Sequence, residues 1–296
     1  MIKYAKTLTI LAFSGGILGL IGGFFGAYHP VGDSLAVFRL YALAALFFAM
    51  FGFAVWRQSL LTYFSLGLLC FGIYSLRAQL VNPTPVAGFT LLQHNNLFKN
   101  DTRDLVDYAR ATAPDIITLQ EITTNSIPQL AAMREDYPYQ VICPFAAVGG
   151  VAILSKFRII GEQGEGCIEG LGMVSARVEV PGGEITVVSL HLHWPWPYQQ
   201  PTQIPDILSA LESLKGPVFI GGDFNTVAWS HVAAQIETAS NTKVIGGIRF
   251  TKTLFSGIMQ LPIDQVLAPA NWPASASRGP HLGSDHNSVI AQFALN

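Results

Sequence analysis

The charged residues of this 296-residue chain are distributed very unevenly, and this limits the folds open to its first 80 residues. No Asp, Glu, Lys or Arg occurs between residues 7 and 32, and residues 40–56 and 58–76 are two further uncharged runs. Apolar runs of about 20 residues have the length needed to cross a bilayer as helices. The sequence therefore predicts a membrane anchor over residues 1–80, with three transmembrane helices and lipid contact through residues 7–77.

A cleaved signal peptide is the alternative interpretation of the first run, because Lys3 and Lys6 give it a charged start. The run is too long for a signal peptide, and two more runs follow it. Basic residues flanking the runs indicate the orientation. Lys3, Lys6 and Arg57 lie on one side, and Arg39 and Arg77 on the other, which favours a cytoplasmic N-terminus. These features predict a multi-pass protein of the cytoplasmic (inner) membrane whose remaining domain is periplasmic or otherwise extracytoplasmic.

The composition changes after a short Pro-containing linker at residues 81–88. Residues 89–296 are enough for one sizeable core. From residue 81 onward there are 12 Lys and Arg against 18 Asp and Glu, a net charge of −6. A domain this acidic lacks the basic surface of a protein that binds nucleic acid non-specifically.

Two cysteines, Cys143 and Cys167, fall in this second domain. In an extracytoplasmic domain such a pair can form a disulfide. The alternative is two thiols that never meet, and the sequence leaves both interpretations open.

Strand and helix patterns alternate along the second domain, which indicates mixed α and β structure with helices covering sheets in layers. Helices are predicted over residues 102–113, 126–134, 202–214 and 230–238. Strands are predicted over residues 90–94, 115–119, 139–143, 151–154, 174–180, 185–192, 218–220, 263–267 and 288–293.

One of these strands runs directly into two polar residues, Asp223 and Asn225. Side chains alternate along an extended chain, so the two are predicted to point the same way. Burying them unpaired in a core would cost a few kcal/mol, whereas a solvent-open site that binds a phosphate and positions a water would use them. An Asx-turn is the structural alternative.

Similar polar groups follow, lie in or directly precede other predicted strands. They are Asn95, Gln120 with Glu121, His191, Asp264, and the pair Asp285 and His286. A hard cation such as Mg²⁺ prefers one or two carboxylates together with waters and substrate oxygens. Phosphoester hydrolysis also needs a group that aligns water and donors for the charge that develops on the phosphate. The set therefore indicates hydrolysis of a phosphoester assisted by Mg²⁺ or Mn²⁺.

Six motifs in order resemble the endonuclease/exonuclease/phosphatase superfamily of deoxyribonuclease I-like proteins, here in a membrane-anchored bacterial type. They are Asn95, Leu119-Gln120-Glu121, His191, Gly222-Asp223-Phe224-Asn225, Ile263-Asp264-Gln265-Val266 and Ser284-Asp285-His286. The resemblance spans nearly all of the second domain and none of the anchor. It implies a four-layered α/β sandwich, in which two packed mixed sheets are flanked by helices and the active site lies at one end.

The resemblance also implies roles for single residues. Glu121 is expected to be the principal metal ligand, with Asn95 beside it contacting metal or phosphate, and Asp285 assisting at the metal.

Five further residues are expected to be catalytic. Asp223 would orient or deprotonate the attacking water and Asn225 would hold a phosphate oxygen. His286 would bind the scissile phosphate or shuttle a proton while Asp264 fixes its tautomer, and His191 would lie against the phosphate.

The aromatic loop after this histidine contains Trp194 and Trp196. These rings could contact substrate by stacking on a base or sugar, rest at the membrane interface, or simply cover the edge of a sheet.

The function predicted from the sequence is a membrane-anchored, metal-dependent phosphodiesterase. Its substrate would be a lipid headgroup, a small phosphodiester or a nucleic acid, and no protein partner is evident. One alternative is a nuclease acting on extracytoplasmic DNA or RNA. A second is a catalytically silent membrane scaffold.

Overall fold

A computed structural model describes residues 2–81, 84–161 and 166–295. Asn82 and Pro83, in the predicted linker at 81–88, lie outside the described residues.

The N-terminal part consists of four helices and a short 3-10 turn. They are α1 (Ile2–Gly22), α2 (Val31–Val37), α3 (Arg39–Val55), α4 (Ser59–Ser75) and the turn Arg77–Leu80. α1 packs against α3, and α3 packs against α4. Glycine permits the first of these contacts, because a Cβ on Gly16 would lie 2.7 Å from Cγ of Leu46.

The prediction of three transmembrane helices is wrong in number. Among the described residues, α1 alone is long and apolar enough to cross a membrane, and α2 with α3 qualifies only as a pair bent by 64°. α4 has 17 residues, about 26 Å of helix, which is less than the hydrocarbon thickness of about 30 Å. The described chain thus contains one candidate span, or two if the bent pair is counted as one.

Arg39 stands at this bend and is buried, with 2% of its surface exposed. Its guanidinium donates to the carbonyl of Gly23 at 3.0 Å and lies 4.1 Å from the centroid of the Phe24 ring. The charge therefore binds the carbonyl end of α1 instead of extending into solvent, and it joins α1 to the start of α3.

The second part alternates strands and helices. Its strands are β1 (Gly88–Asn95), β2 (Ile116–Ile122), β3 (Tyr139–Ala146), β4 (Gly149–Ser155), β5 (Ile159–Ile160), β6 (Cys167–Ile168), β7 (Met173–Val180), β8 (Gly183–His191), β9 (Val218–Asp223), β10 (Thr242–Val244), β11 (Lys252–Leu254), β12 (Met259–Leu261), β13 (Asp264–Pro269), β14 (Ala274–Arg278) and β15 (Val289–Ala294). Its helices are α5 (Arg103–Thr112), α6 (Ile127–Ala132), α7 (Gln200–Glu212) and α8 (His231–Ser240).

These strands form two large mixed sheets and one hairpin. The first sheet has the order β14-β15-β1-β2-β4-β3, with β1 and β2 parallel. The second has the order β10-β13-β9-β8-β7-β5, with β6 paired to β7 and with β8 and β9 parallel. The hairpin pairs β11 with β12.

Three apolar cores lie between four layers of secondary structure. The core between the two sheets includes Phe89, Phe219 and Phe293. A second core lies between the first sheet and α5 with α6, and a third between the second sheet and α7 with α8. The predicted four-layered α/β sandwich is therefore confirmed, since each sheet buries one face against the other sheet and one against helices.

The two sheets approach closely near one end. A Cβ on Gly221 of β9 would lie 2.2 Å from Oγ1 of Thr118 on β2, so only glycine allows this spacing. Two residues farther along, β9 ends at Asp223, which is in register with His191 of β8 and Asp264 of β13. The strand register therefore gathers three polar side chains at this end of the second sheet.

A disulfide joins the two sheets at one edge. Cys143 of β3 and Cys167 of β6 are bonded, with their Cα atoms 5.3 Å apart and 24 residues apart in sequence. Cys143 is fully buried. The bond therefore links an edge strand of the first sheet to the second sheet.

We expect mass spectrometry of unreduced protein from an oxidising compartment to find the Cys143 and Cys167 peptides joined. Closing a loop of this length stabilises a fold by about 3 kcal/mol, so reduction should lower the melting temperature. Cys70→Ser is the control and should change neither result, because Cys70 is an exposed free thiol. Complete alkylation of Cys143 and Cys167 without reductant would show that the disulfide does not form.

Candidate active site

The candidate site lies where the ends of the two sheets face each other. Asn95 ends β1 in the first sheet, and His191, Asp223 and Asp264 lie in adjacent strands of the second. Ser284 connects a later segment to this end, since its hydroxyl donates to the Asn95 carbonyl at 2.8 Å.

Asp223 is at the centre of this group and has 1% of its surface exposed. Its Oδ2 accepts from the Asn95 amide at 2.9 Å. The same oxygen lies 3.8 Å from Nε2 of His191 and 3.7 Å from Nε2 of His286. The carboxylate is thus buried rather than solvent-open, and it is flanked by one amide and two imidazoles.

His286 is oriented by a buried chain of polar side chains. Its Nδ1 lies 2.8 Å from Oδ2 of Asp264, and Gln93 donates its amide to Oδ1 of the same carboxylate at 2.8 Å. The backbone N–H of Asp264 donates to the Thr251 hydroxyl at 3.1 Å. With both Asp264 oxygens engaged, the ring of His286 is held with Nε2 toward Asp223.

Glu121 projects from a β-bulge in β2. The register between β2 and β4 shifts between Gln120 and Ile122, and Glu121 has a φ of 59°. A non-glycine residue with this backbone conformation is strained. The half-buried carboxylate accepts from the Asn95 amide at 3.0 Å and from the backbone N–H of Phe98 at 2.9 Å.

Asn225 lies beyond the end of β9, so the predicted extended arrangement with Asp223 is wrong. Asp223 instead accepts from the backbone N–H of Asn225 at 2.9 Å, and Asn225 has a φ of 48°. This is the Asx-turn alternative. The side-chain amide of Asn225 donates to the carbonyl of Leu192 at 2.8 Å, which ties together the chain segments that follow β8 and β9.

Burial and mutual charge set the protonation of Asp223 and His286. Burial raises the pKa of Asp223 to about 6, opposed by the charge on His286. Burial alone would lower the pKa of His286, but the carboxylates of Asp264 and Asp223 outweigh it and raise this pKa to about 9. The charge of His286 and its hydrogen bond overcome burial at Asp264 and lower the pKa of that carboxyl. At neutral pH the site thus holds an imidazolium against two carboxylates.

The pKa of His191 is shifted in the opposite direction to that of His286. Burial lowers its pKa to about 4, only partly offset by Glu121, so the ring is neutral at pH 7. Phe145 packs against it with ring centroids 5.3 Å apart. The site therefore combines one neutral and one protonated histidine.

The donor set suits a hard divalent cation, which would need oxygen ligands. Glu121 and Asp285 supply carboxylates, and Oδ1 of Asp285 is buried without a hydrogen-bond partner. Its other oxygen pairs with Lys252. Asp223, Asp264 and His286 also have ligand-type atoms within 4.8 Å of one another, but Asp264 already uses both oxygens.

The two tryptophans lie against the N-terminal part. Trp194 packs in a cluster with Ala36 and Val37 of α2. Trp196 is 45% exposed, and its ring lies 5.8 Å from that of His29. The carbonyl of Trp196 accepts from the hydroxyl of Ser34.

Several residues of this region were not singled out from the sequence. Gln93 holds Asp264, Thr251 accepts from its backbone, and Lys252 pairs with Asp285. Gln93 had a usable signal, since it is a polar residue two positions before Asn95 on a strand and so lies on the same face. Thr251 and Lys252 are brought to the site by the β11–β12 hairpin, which has no sequence pattern of its own.

Solved structures with the same fold have low sequence identity to this chain. The human Nocturnin catalytic domain with bound sulfate aligns with a TM-score of 0.54 and 16% identity, covering 71% of this chain and 97% of that one. A mutant of Staphylococcus aureus beta toxin with bound magnesium ions gives 0.52 and 14%, covering 70% and 100%. A humanized D. rerio TDP2 gives 0.51 and 16%, covering 69% and 98%.

Among curated proteins, a UPF0294 protein of Vibrio vulnificus (strain CMCP6) is 30% identical over 128 residues. The match covers 42% of this chain and 44% of the relative, so it spans less than half the length of that protein. The family match is broader. Residues 88–286 match the Endonuclease/Exonuclease/phosphatase family, the span that contains every catalytic and metal-ligand candidate described above, and the chain therefore belongs to that family.

Proposed function

We propose that this protein is a divalent-metal-dependent phosphodiesterase attached to a membrane. The observation that carries the proposal is the buried Asp223 carboxylate, flanked by His191 and His286 and joined through Asn95 to Glu121. A carboxylate with a raised pKa beside a protonated imidazole is a base beside an acid, as phosphoester hydrolysis requires.

Asp223 and His286 divide the proton transfers. Asp223 accepts a proton from the attacking water as the new bond to phosphorus forms. The bond from phosphorus to the leaving oxygen breaks, and His286 donates its Nε2 proton to that oxygen. Asp264 and Gln93 keep the ring of His286 in place. His191 and an N–H of Asn225 are the neutral donors assigned to phosphate oxygens.

The metal is assigned to Glu121, with Asn95 and Asp285 beside it. This assignment is supported by Oδ1 of Asp285, which makes no hydrogen bond and lies 3.8 Å from Nε2 of His286, and by the magnesium ions in the beta toxin structure. A bound Mg²⁺ or Mn²⁺ would polarise the phosphoryl oxygens and neutralise their charge.

Membrane attachment is supported by the surface of the N-terminal helices. Their outer faces expose many large apolar side chains, among them Leu8, Leu18, Phe48, Phe51 and Phe64. A soluble surface does not tolerate apolar patches of this extent. We therefore assign the outer faces of α1, α3 and α4, within residues 7–77, to contact with lipid.

We further propose that the catalytic domain is extracytoplasmic. Lys3 and Lys6 precede α1 and support a cytoplasmic N-terminus. With α1 as the one crossing, the domain that follows lies outside the cytoplasm. The Cys143–Cys167 disulfide supports the same side, because disulfides persist in oxidising compartments.

Charge and exposed apolar groups favour a lipid headgroup or another small phosphoester as the substrate. The domain has a net charge of −6 from residue 81 onward. Trp196 and Tyr198 are exposed on the loop after β8, and Phe255 and Ile258 on the turn of the β11–β12 hairpin. Such groups suit contact with a bilayer surface better than with a polyanion.

Glu121→Gln and Asp223→Asn should each lower the hydrolysis rate by about a hundredfold or more, the cost of losing transition-state stabilisation. Both changes keep the side-chain shape, so circular dichroism should be unchanged. Calorimetry should also show weaker Mn²⁺ binding by Glu121→Gln. Asp206→Asn and Glu212→Gln change exposed carboxylates of α7 and should have no effect. Near-normal turnover in either site variant would show that the site is assigned wrongly.

His286→Ala and Asp264→Ala should be non-additive, because Asp264 acts through the imidazole that it orients. We expect the double variant to be about as slow as His286→Ala alone, measured as kcat on a soluble phosphodiester. A double variant whose loss equals the product of the single losses would mean that the two residues act independently.

The choice of substrate is tested by comparing kcat/KM on plasmid DNA with kcat/KM on a phospholipid or sphingolipid headgroup diester at matched low ionic strength. We expect the lipid diester to be preferred, because the domain lacks the basic tract that binds long nucleic acids. A tenfold preference for DNA would support the nuclease alternative. Metal binding without hydrolysis of any phosphoester would support the silent scaffold.

A further inference from the structure

The N-terminal part contacts the loops that surround the candidate active site. The contacts come from residues 31–41, here called the docking segment, which comprises α2, Phe38 and the start of α3. Its apolar side chains Ala36, Val37 and Tyr41 pack in one cluster with Val227 and Ile263 of the catalytic domain. The segment is therefore part of a protein core and not only a connection to lipid.

The first loop that it contacts follows β8, the strand that ends at His191. Ser34 donates its hydroxyl to the carbonyl of Trp196, and Trp194 packs in the cluster around Ala36. This loop begins at Leu192, whose backbone N–H donates to the carbonyl of Asp223 at 3.0 Å.

The second loop follows β9, the strand that ends at Asp223. The indole N–H of Trp229 donates to the carbonyl of Ala36 at 2.9 Å. The backbone N–H of His231, at the start of α8, donates to Oδ1 of Asp33 at 2.6 Å. The end of the segment that joins Asn225 to α8 is thus held by α2.

The third contact is with the β11–β12 hairpin. The hydroxyl of Tyr41 donates to the carbonyl of Gln260 at 2.7 Å and accepts from the N–H of the same residue at 2.9 Å. Two hydrogen bonds to one backbone unit fix the edge of β12.

This hairpin is tied to the catalytic residues at its other strand. Lys252 forms a β-bridge with His286 and an ion pair with Asp285. The neighbouring Thr251 accepts from the N–H of Asp264, and its carbonyl accepts from Asn287 at 2.7 Å. A shift of the hairpin would therefore move groups that hold both Asp264 and His286.

From these contacts we propose that the docking segment is a positioning element of the active site, which holds the three loops around Asp223 and His286 in their catalytic arrangement. Tyr41 and Trp229 are the positioning residues whose hydrogen bonds carry this effect. The inference rests on the proposed phosphodiesterase function, and it assigns the membrane-proximal segment a role in turnover beyond attachment.

The test uses the full chain in detergent micelles with a soluble diester, bis-p-nitrophenyl phosphate, so that attachment to a membrane cannot limit the rate. Tyr41→Phe and Trp229→Phe each remove hydrogen bonds to the docking interface and keep an aromatic ring. We expect each to lower kcat by about tenfold, which corresponds to losing one or two hydrogen bonds from a preorganised site. Mn²⁺ affinity should fall by much less than kcat, because Glu121 and Asn95 belong to the first sheet and only Asp285 is tied to the hairpin.

Two matched controls separate this effect from a general loss of packing. Tyr63→Phe changes a tyrosine of α4 that is 72% exposed. Trp272→Phe removes an indole N–H that also donates to a backbone carbonyl, Ala294 at 2.8 Å, but at the opposite end of the sheets. Both controls should keep wild-type kcat.

Hydrogen exchange supplies a readout that does not depend on activity. Tyr41→Phe should speed exchange in residues 252–261, and Trp229→Phe should speed it in residues 225–231, with each control unchanged there. Wild-type kcat and exchange in both test variants would overturn the positioning role while leaving the proposed function intact. A wild-type protein that hydrolyses no phosphoester would refute the proposed function, and with it the role in turnover, whatever the exchange data show.

Discussion

The side-chain amide of Asn95 is the contact on which the rest of the site depends. It donates to Glu121 on one side and to Asp223 on the other, and so joins a carboxylate of the first sheet to one of the second. Two carboxylates this close would repel each other without a shared donor. Gln93, two residues earlier on β1, donates to Asp264 alone and likewise joins the first sheet to the second. At this end the two sheets are thus joined by amides that donate to acids, whereas phenylalanines pack between them toward the opposite end.

Much of this arrangement could be predicted because it follows from strand periodicity. Apolar runs that end in polar residues are visible in the sequence, and the register of β8, β9 and β13 brings His191, Asp223 and Asp264 side by side. Asn225 was misplaced because the chain leaves the extended conformation directly after Asp223. The backbone N–H of Asn225 turns back to donate to the Asp223 carboxylate. The alternation of apolar and polar residues in the sequence does not reveal such a turn.

The short strands were missed for a different reason. β5, β6 and β10 to β12 have two or three residues each, too few to show alternation. β5, β6 and β10 form because longer neighbouring strands offer free backbone groups, whereas β11 and β12 pair with each other. The count of membrane spans was wrong because an uncharged run shows neither where its helices bend nor how long each helix is. Ala36 and Val37 are apolar because they pack against the catalytic domain, and composition does not distinguish a side chain buried in protein from one buried in lipid.

The strained backbone at the Glu121 bulge affects which residue is favoured at that position. A left-handed backbone conformation is least strained in glycine and costs an acidic residue of order 1 kcal/mol or more. The residue that best suits the backbone at this position is therefore not the one that suits a cation. Under the proposed assignment of Glu121 to the metal, replacement by glycine would relieve backbone strain and remove the ligand, so folding stability and metal binding make opposite demands on this position.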